Sequence, residues 1–131
     1  MPETSRPEIV IRAADEDRLA ELANGLFETL PGLGEKLLDE LARARLASGD
    51  AVPADSVQMG STLTYEVDGV RRRVTLVYPV EADIDAGRVS VGTPIGTALL
   101  GLVEGQSIDW TARDGRRQRL TVVAVERPVA G

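Results

Sequence analysis

The 131-residue chain contains no histidine and no cysteine. That excludes His-dependent catalytic triads, cysteine nucleophiles, disulfides and the usual zinc sites. Aromatic side chains are almost as scarce: Phe27, Tyr65, Tyr78 and Trp110 are all there are. Four rings argue against a nucleic-acid platform or a ligand pocket built by stacking. Long apolar runs are missing too, since a stretch such as Val122-Val123-Ala124-Val125 falls far short of the ~20 residues that span a bilayer. Basic charge is in deficit, with 15 Lys and Arg against 21 Asp and Glu for a net −6, so there is no global footprint for nucleic acid. Met1-Pro2-Glu3-Thr4-Ser5-Arg6-Pro7-Glu8 lacks the apolar core and cleavage pattern of a secretory signal. The expectation is a soluble cytoplasmic protein without membrane contact.

What is there has the balance of a folded chain, 43% apolar and 27% charged. The length suits one compact domain with a small appendage. Charge and texture divide the chain at the same place. Residues 1–50 hold 11 acids and 6 bases and are rich in Leu, Ala and Glu, whereas residues 51–131 hold 10 acids and 9 bases and are rich in Val, Thr, Gly and Arg. Gly and Pro punctuate Ser48-Gly49-Asp50-Ala51-Val52-Pro53, which reads as the linker.

The first part reads as a helical hairpin. Asp15 is placed to cap one helix, with Glu16 and Asp17 in its first turn and Leu19, Leu22 and Leu26 at helical spacing. Asn24-Gly25 is a stop signal, and Pro31-Gly32 is expected to break the chain. The second helix is predicted from about Leu33 to Ala47, with Leu33, Leu37, Leu38 and Leu41 on one side and Arg43 and Arg45 in its last turn. Arms of ten to fifteen residues would be roughly 15–22 Å long. Ile9-Val10-Ile11 is predicted as a short leading strand. Glu28, Glu35, Asp39 and Glu40 read as a solvated helical face.

The second part reads as strands and turns. Leu63, Tyr65 and Val67 alternate with Thr62, Thr64 and Glu66, the period of a half-buried strand. Asp68-Gly69 is a two-residue hairpin signal, and the return strand runs from Arg72 to Tyr78. A turn at Asp85-Ala86-Gly87 precedes a strand at Arg88–Val91, and Glu81, Asp83 and Asp85 lack the later Gly and distal Glu of a calcium loop. Thr93 then caps a helix, Pro94 takes its first position, and Gly101 lies just past its end. Its buried face carries Ile95, Ala98, Leu99 and Leu102, and Trp110 falls on the core side of a later strand. Two last strands, about Ser107–Ala112 and Arg117–Glu126, flank Asp114-Gly115. The fold class is α+β: a largely antiparallel sheet with one packed helix, behind a short helical hairpin.

The stretch Ser90-Val91-Gly92-Thr93-Pro94-Ile95-Gly96-Thr97-Ala98-Leu99-Leu100-Gly101 resembles the C-terminal signature of the bacterial GreA/GreB transcript-cleavage factors. Thr93 replaces that signature's second Ser, and Gly105-Gln106 stands where an acid is preferred in the second place. Three features are closer to the Rnk-type regulators of nucleoside diphosphate kinase within that family. They are Ser5-Arg6-Pro7 before the first strand, Thr75-Leu76-Val77-Tyr78-Pro79, and Ala98–Leu102 followed by Gly105, Ser107-Ile108 and Trp110. The resemblance implies an FKBP-like C-terminal domain over residues 51–131 and a shortened coiled coil over residues 1–50.

It further implies binding to RNA polymerase at the rim of its secondary channel, in competition with Gre factors. On this signature the polymerase-binding residues would be Ser90, Gly92, Thr93, Pro94 and Gly96, with Gly92, Thr93 and Gly96 on an exposed edge. The hairpin tip would be Glu28, Pro31 and Gly32. Gre factors hold metal with paired acids at a longer tip. Here Glu28 is the one acid between Leu26 and Gly34, a poor ligand set for Mg²⁺, so no transcript cleavage, no catalytic residue, no metal and no cofactor are expected. Arg71, Arg72 and Arg73, with Arg116, Arg117 and Arg119, adjoin two Asp-Gly turns. They read as guarded sheet edges or as one basic contact for an acidic partner surface, without autonomous nucleic-acid binding. Two alternatives stand beside this reading: direct binding to nucleoside diphosphate kinase, and prolyl isomerase activity. The second is disfavoured by the shortage of aromatics for an isomerase pocket. A monomer is expected.

Overall fold

The computed structural model describes residues 9–48, 51–111 and 114–126. A short strand β1 (Val10–Arg12) leads into α1 (Glu16–Leu26), α2 (Pro31–Arg43) and β2 (Arg45–Ala47). There follow β3 (Thr62–Val67), β4 (Val70–Val77), β5 (Arg88–Ser90), α3 (Pro94–Leu99), β6 (Ser107–Thr111) and β7 (Arg117–Val125). β1 and β2 form a small parallel pair. The other five strands form one sheet in the order β5-β4-β3-β7-β6, antiparallel throughout except for the parallel β4–β5 pair.

The sheet half follows its local code. Asp68 and Gly69 both take positive φ, 54° and 80°, as a two-residue hairpin turn requires. Leu63 and Tyr65 point into the core, as do Val74 and Leu76 of β4, with Val74 directly opposite Leu63. A bulge between Thr64 and Tyr65 shifts the β3–β7 register, so that Val122 and Val125, three positions apart, both bury. Glu81, Asp83 and Asp85 lie on solvated turns, where an Asp83 carboxylate oxygen accepts from the Ala86 amide at 3.3 Å.

The helical half departs from its local code at several points. Pro31 and Gly32 do not break the chain but open α2, with Pro31 at its first position. The predicted helix to Ala47 ends at Arg43. Ala44 turns extended, and the Arg45 amide donates to the Ile9 carbonyl at 2.9 Å, so residues 45–47 become a strand beside β1 rather than a last helical turn. Asp15 makes no cap bond. Its carboxylate instead accepts from Arg12 at 3.3 Å and from the Tyr78 hydroxyl at 3.2 Å. Glu40 is not on a solvated face. It is 3% exposed and accepts from Arg43 at 2.7 Å, whereas Glu35 and Asp39 are exposed as expected. Gly34 of α2 lets the helices close up: an added Cβ would stand 2.8 Å from the Ala23 carbonyl oxygen of α1.

One hydrophobic core runs through both halves. Ile9, Ile11, Leu19, Ala23, Leu37 and Leu41 from the helical part join Val57, Leu63, Leu76, Leu99 and Leu120. Polar contacts tie the same seam. Gln58 accepts from the Arg12 amide at 2.9 Å and donates to the Val10 carbonyl at 2.7 Å. The Arg18 guanidinium lies 3.7 Å from the Tyr78 ring centre, close enough for a cation–π contact. Burial first, and then the Asp15 carboxylate, push the Tyr78 hydroxyl up to about 12. Ser5-Arg6-Pro7 and Ala112 lie outside the described residues.

Candidate functional site

The loop from β5 into α3 is held by its own hydroxyls. Ser90 Oγ accepts from the Gly92 amide at 2.9 Å. Thr93 Oγ1 donates to the Ser90 carbonyl at 2.7 Å and accepts from the Gly96 amide at 3.1 Å, which caps α3. Threonine performs this as serine would, because each presents one hydroxyl at the cap. Thr97 Oγ1 donates to the Val91 carbonyl at 2.8 Å. Ser90, Gly92, Thr93 and Pro94 are half-buried. Gly96 is not on an exposed edge. It is buried, and an added Cβ would overlap the Ser90 carbonyl oxygen and lie 2.8 Å from the Val91 Cα. Its role here is the close approach of helix and loop.

Ser90, Thr93 and Pro94 line a cavity of about 530 Å³ together with Arg72, Arg73 and Arg88. Tyr65, Val74, Val89, Ile95 and Trp110 supply apolar wall, and Ile84, 88% exposed, stands on its rim. Trp110 is therefore a half-buried wall residue rather than wholly core, and its Nε1 is buried without a hydrogen-bond partner among the described residues. Burial raises the Tyr65 hydroxyl above its ordinary value. A second cavity of about 300 Å³ shares Tyr65, Arg72, Ile95 and Trp110 with the first. A third, of about 450 Å³, is lined by Thr29, Leu30, Pro31, Gly32 and Leu33 of the hairpin turn and by Pro94. Two groups of residues singled out in the sequence thus meet at Pro94. Glu28 is exposed and lines none of these cavities.

Strand register sorts the arginines onto two faces. Tyr65 pairs with Arg72 across β3–β4 and Glu66 with Arg71, so Arg72 shares the core face of the sheet while Arg71 and Arg73 take the opposite face. There Arg71 meets Glu66 at 3.0 Å, Arg73 meets Glu126 at 2.9 Å and Arg119 meets Asp109 at 3.5 Å. The Arg73 guanidinium holds the Glu126 carboxyl below its usual range. Arg116 and Arg117 are exposed. Arg88 was not foreseen as a site residue, although its place between the Asp85-Ala86-Gly87 turn and the signature is a sequence signal that would have found it. Among the described residues, no three His, Cys, Asp or Glu side chains gather to hold a metal ion, and no helix is long and apolar enough to cross a membrane.

Residues 52–127 match the family described as transcription elongation factor GreA/GreB, C-terminal, and residues 7–46 match the family described as Rnk N-terminus. The chain is 37% identical over 125 residues to the regulator of nucleoside diphosphate kinase of Escherichia coli strain K12, spanning 93% of this chain and 91% of that protein. It is 33% identical over 90 residues to the transcription elongation factor GreA of Rhodospirillum rubrum, spanning 67% of this chain and 57% of that protein. A solved prokaryotic transcription elongation factor GreA/GreB from Nitrosomonas europaea superposes with a TM-score of 0.73 at 35% identity, over 92% of this chain and 98% of that one.

Proposed function

Because the chain belongs to the GreA/GreB transcription elongation factor family, with an Rnk-type N-terminus, we propose that it is a non-catalytic regulator of transcription in the cytoplasm. In this reading it binds RNA polymerase beside the secondary channel and competes there with Gre factors without stimulating transcript cleavage. The observation that carries it is the convergence at Pro94. The half-buried Ser90, Thr93 and Pro94 line one cavity, and the hairpin turn lines the next. A partner seated on the signature therefore also meets the hairpin.

The sheet over residues 51–131, FKBP-like in this reading, is the dock, and the hairpin over residues 1–50 is a shortened coiled coil carrying most of the negative charge. Helices of 11 and 13 residues reach only about 16–20 Å. At the turn Glu28 offers a lone carboxylate, whereas a catalytic Mg²⁺ needs several oxygen ligands. Arg71 and Arg73 are engaged with Glu66 and Glu126, which leaves Arg72 as the member of its cluster that lines the cavity without an acid partner among the described residues.

The test is capture of core RNA polymerase by the purified protein, then displacement by a Gre factor, then incubation with backtracked complexes. Binding, mutual displacement and RNA of unchanged length are the expected results. Failure to bind, or shortened RNA, overturns the reading. The Escherichia coli relative's description as a regulator of nucleoside diphosphate kinase favours a second reading, direct action on that kinase. Adding the purified protein to purified kinase separates the two: altered turnover supports direct action, and unaltered turnover leaves control through transcription.

A further inference from the structure

Among the described residues, Trp110 carries an indole donor without an acceptor: its Nε1 is closed off from solvent and has no hydrogen-bond partner there. Buried indole N–H groups usually find one, so the free protein has a deficit that a bound state can remove. The surroundings leave room for this. Trp110 stands with Tyr65, Arg72 and Ile95 between cavities of about 530 and 300 Å³. A close-packed core ring has no such space beside it.

Charge at the mouth adds a second requirement. Arg71, Arg73 and Arg119 each have an acid on the outer face. Arg72 and Arg88, both exposed and both lining the groove, have no ion-pair partner among the described residues. Unpaired guanidinium groups beside an apolar hollow match a carboxylate beside an apolar side chain. A main-chain carbonyl left free by its own secondary structure is a suitable acceptor for the indole, whereas carbonyls inside a helix are already bonded.

We propose that Trp110 is a specificity-determining residue of this groove: its indole turns to donate Nε1–H to a main-chain carbonyl in a turn, extended segment or helix end of the polymerase. That segment's apolar side chain enters the cavity and its carboxylate meets Arg72 and Arg88. The proposal rests on the polymerase reading above.

Trp110 is the chain's single tryptophan, so biosynthetic replacement by benzothienylalanine exchanges one N–H for sulfur at one place and keeps the ring shape. Affinity of the full-length protein for core polymerase is measured beside the urea midpoint of the free chain, for this isostere, for Trp110→Phe and for Arg72→Gln. Loss of one net hydrogen bond predicts affinity weaker by on the order of fivefold for the isostere, with a free-chain midpoint that does not fall. Arg72→Gln weakens binding in a salt-dependent way. If Trp110→Phe fails to fold, the isostere decides alone. An isostere that binds as tightly as the natural chain overturns the proposal, as does a lowered midpoint with unchanged affinity, which marks a merely structural ring. A natural chain that does not bind polymerase overturns both this proposal and the reading beneath it.

Discussion

Replacing Gly96 with alanine sets two effects of opposite sign against each other. Inside an ordinary exposed helix, Gly→Ala gains about 0.5–1 kcal/mol. At Gly96 the new methyl overlaps the Ser90 carbonyl oxygen and lies 2.8 Å from both the Ser90 carbonyl carbon and the Val91 Cα. Carbon atoms in contact rest at about 3.5–4 Å, so the loop must retreat by roughly an ångström. It is not free to do so: the Val91 amide donates to Val77 at 2.9 Å, and Thr93 Oγ1 donates to the Ser90 carbonyl at 2.7 Å. Overpacking of this kind costs about 1–3 kcal/mol, and a disturbed cap adds about 1 kcal/mol. After the propensity gain, the net loss is about 1–3 kcal/mol, or a fall in Tm of roughly 4–10 °C. Gly25→Ala in α1 is the control, because nothing lies within 4 Å of its added Cβ, and it should stabilise by about 0.5–1 kcal/mol. Equilibrium urea unfolding of both variants measures the pair. A Gly96→Ala protein as stable as the natural one would refute the close approach of α3 to the loop.

Thr93→Ala removes the α3 cap and the bond to Ser90 and should cost about 1–2 kcal/mol, whereas Thr93→Ser keeps both bonds and should be nearly neutral in urea unfolding. Leu37, fully buried in the core shared by hairpin and sheet, should lose about 2–5 kcal/mol as Leu37→Ala. Its unfolding should remain a single transition by fluorescence and circular dichroism, since two transitions would mean that the hairpin melts alone. Tyr78 holds its proton up to about 12 in the fold against an ordinary 10.0, through burial and then the Asp15 carboxylate. Its contribution to stability is therefore complete below pH 10.0 and declines towards about 12, because the unfolded chain releases the proton first. Urea midpoints across that window should fall for the natural chain and fall less for Tyr78→Phe.

Much of the sheet half was legible because its instructions are local. Alternation marked β3 and β4, Asp68-Gly69 marked their turn, and Thr93-Pro94 marked the start of α3; each is a preference of neighbouring residues for one backbone conformation. The helical half was legible only as two leucine-bearing helices. That residues 45–47 leave the helix for a strand depends on a partner, β1, far away in the chain. That Glu40 is buried depends on what packs over α2, and no periodicity of its own residues reports that.

By itself, then, the sequence determined which chemistries were closed, where the strands and turns fall, and a signature carried on one short stretch. Tertiary structure decided how those pieces meet. It buried Gly96, turned Arg72 to one face of the sheet and Arg71 and Arg73 to the other, and brought the hairpin turn beside Pro94. It also left Trp110, among the described residues, with an unmatched donor beside two cavities. These outcomes follow from packing and from strand register between residues distant in the chain. Backbone preferences act over a few neighbours, while faces, cavities and unpaired groups exist only once the layers have closed on one another.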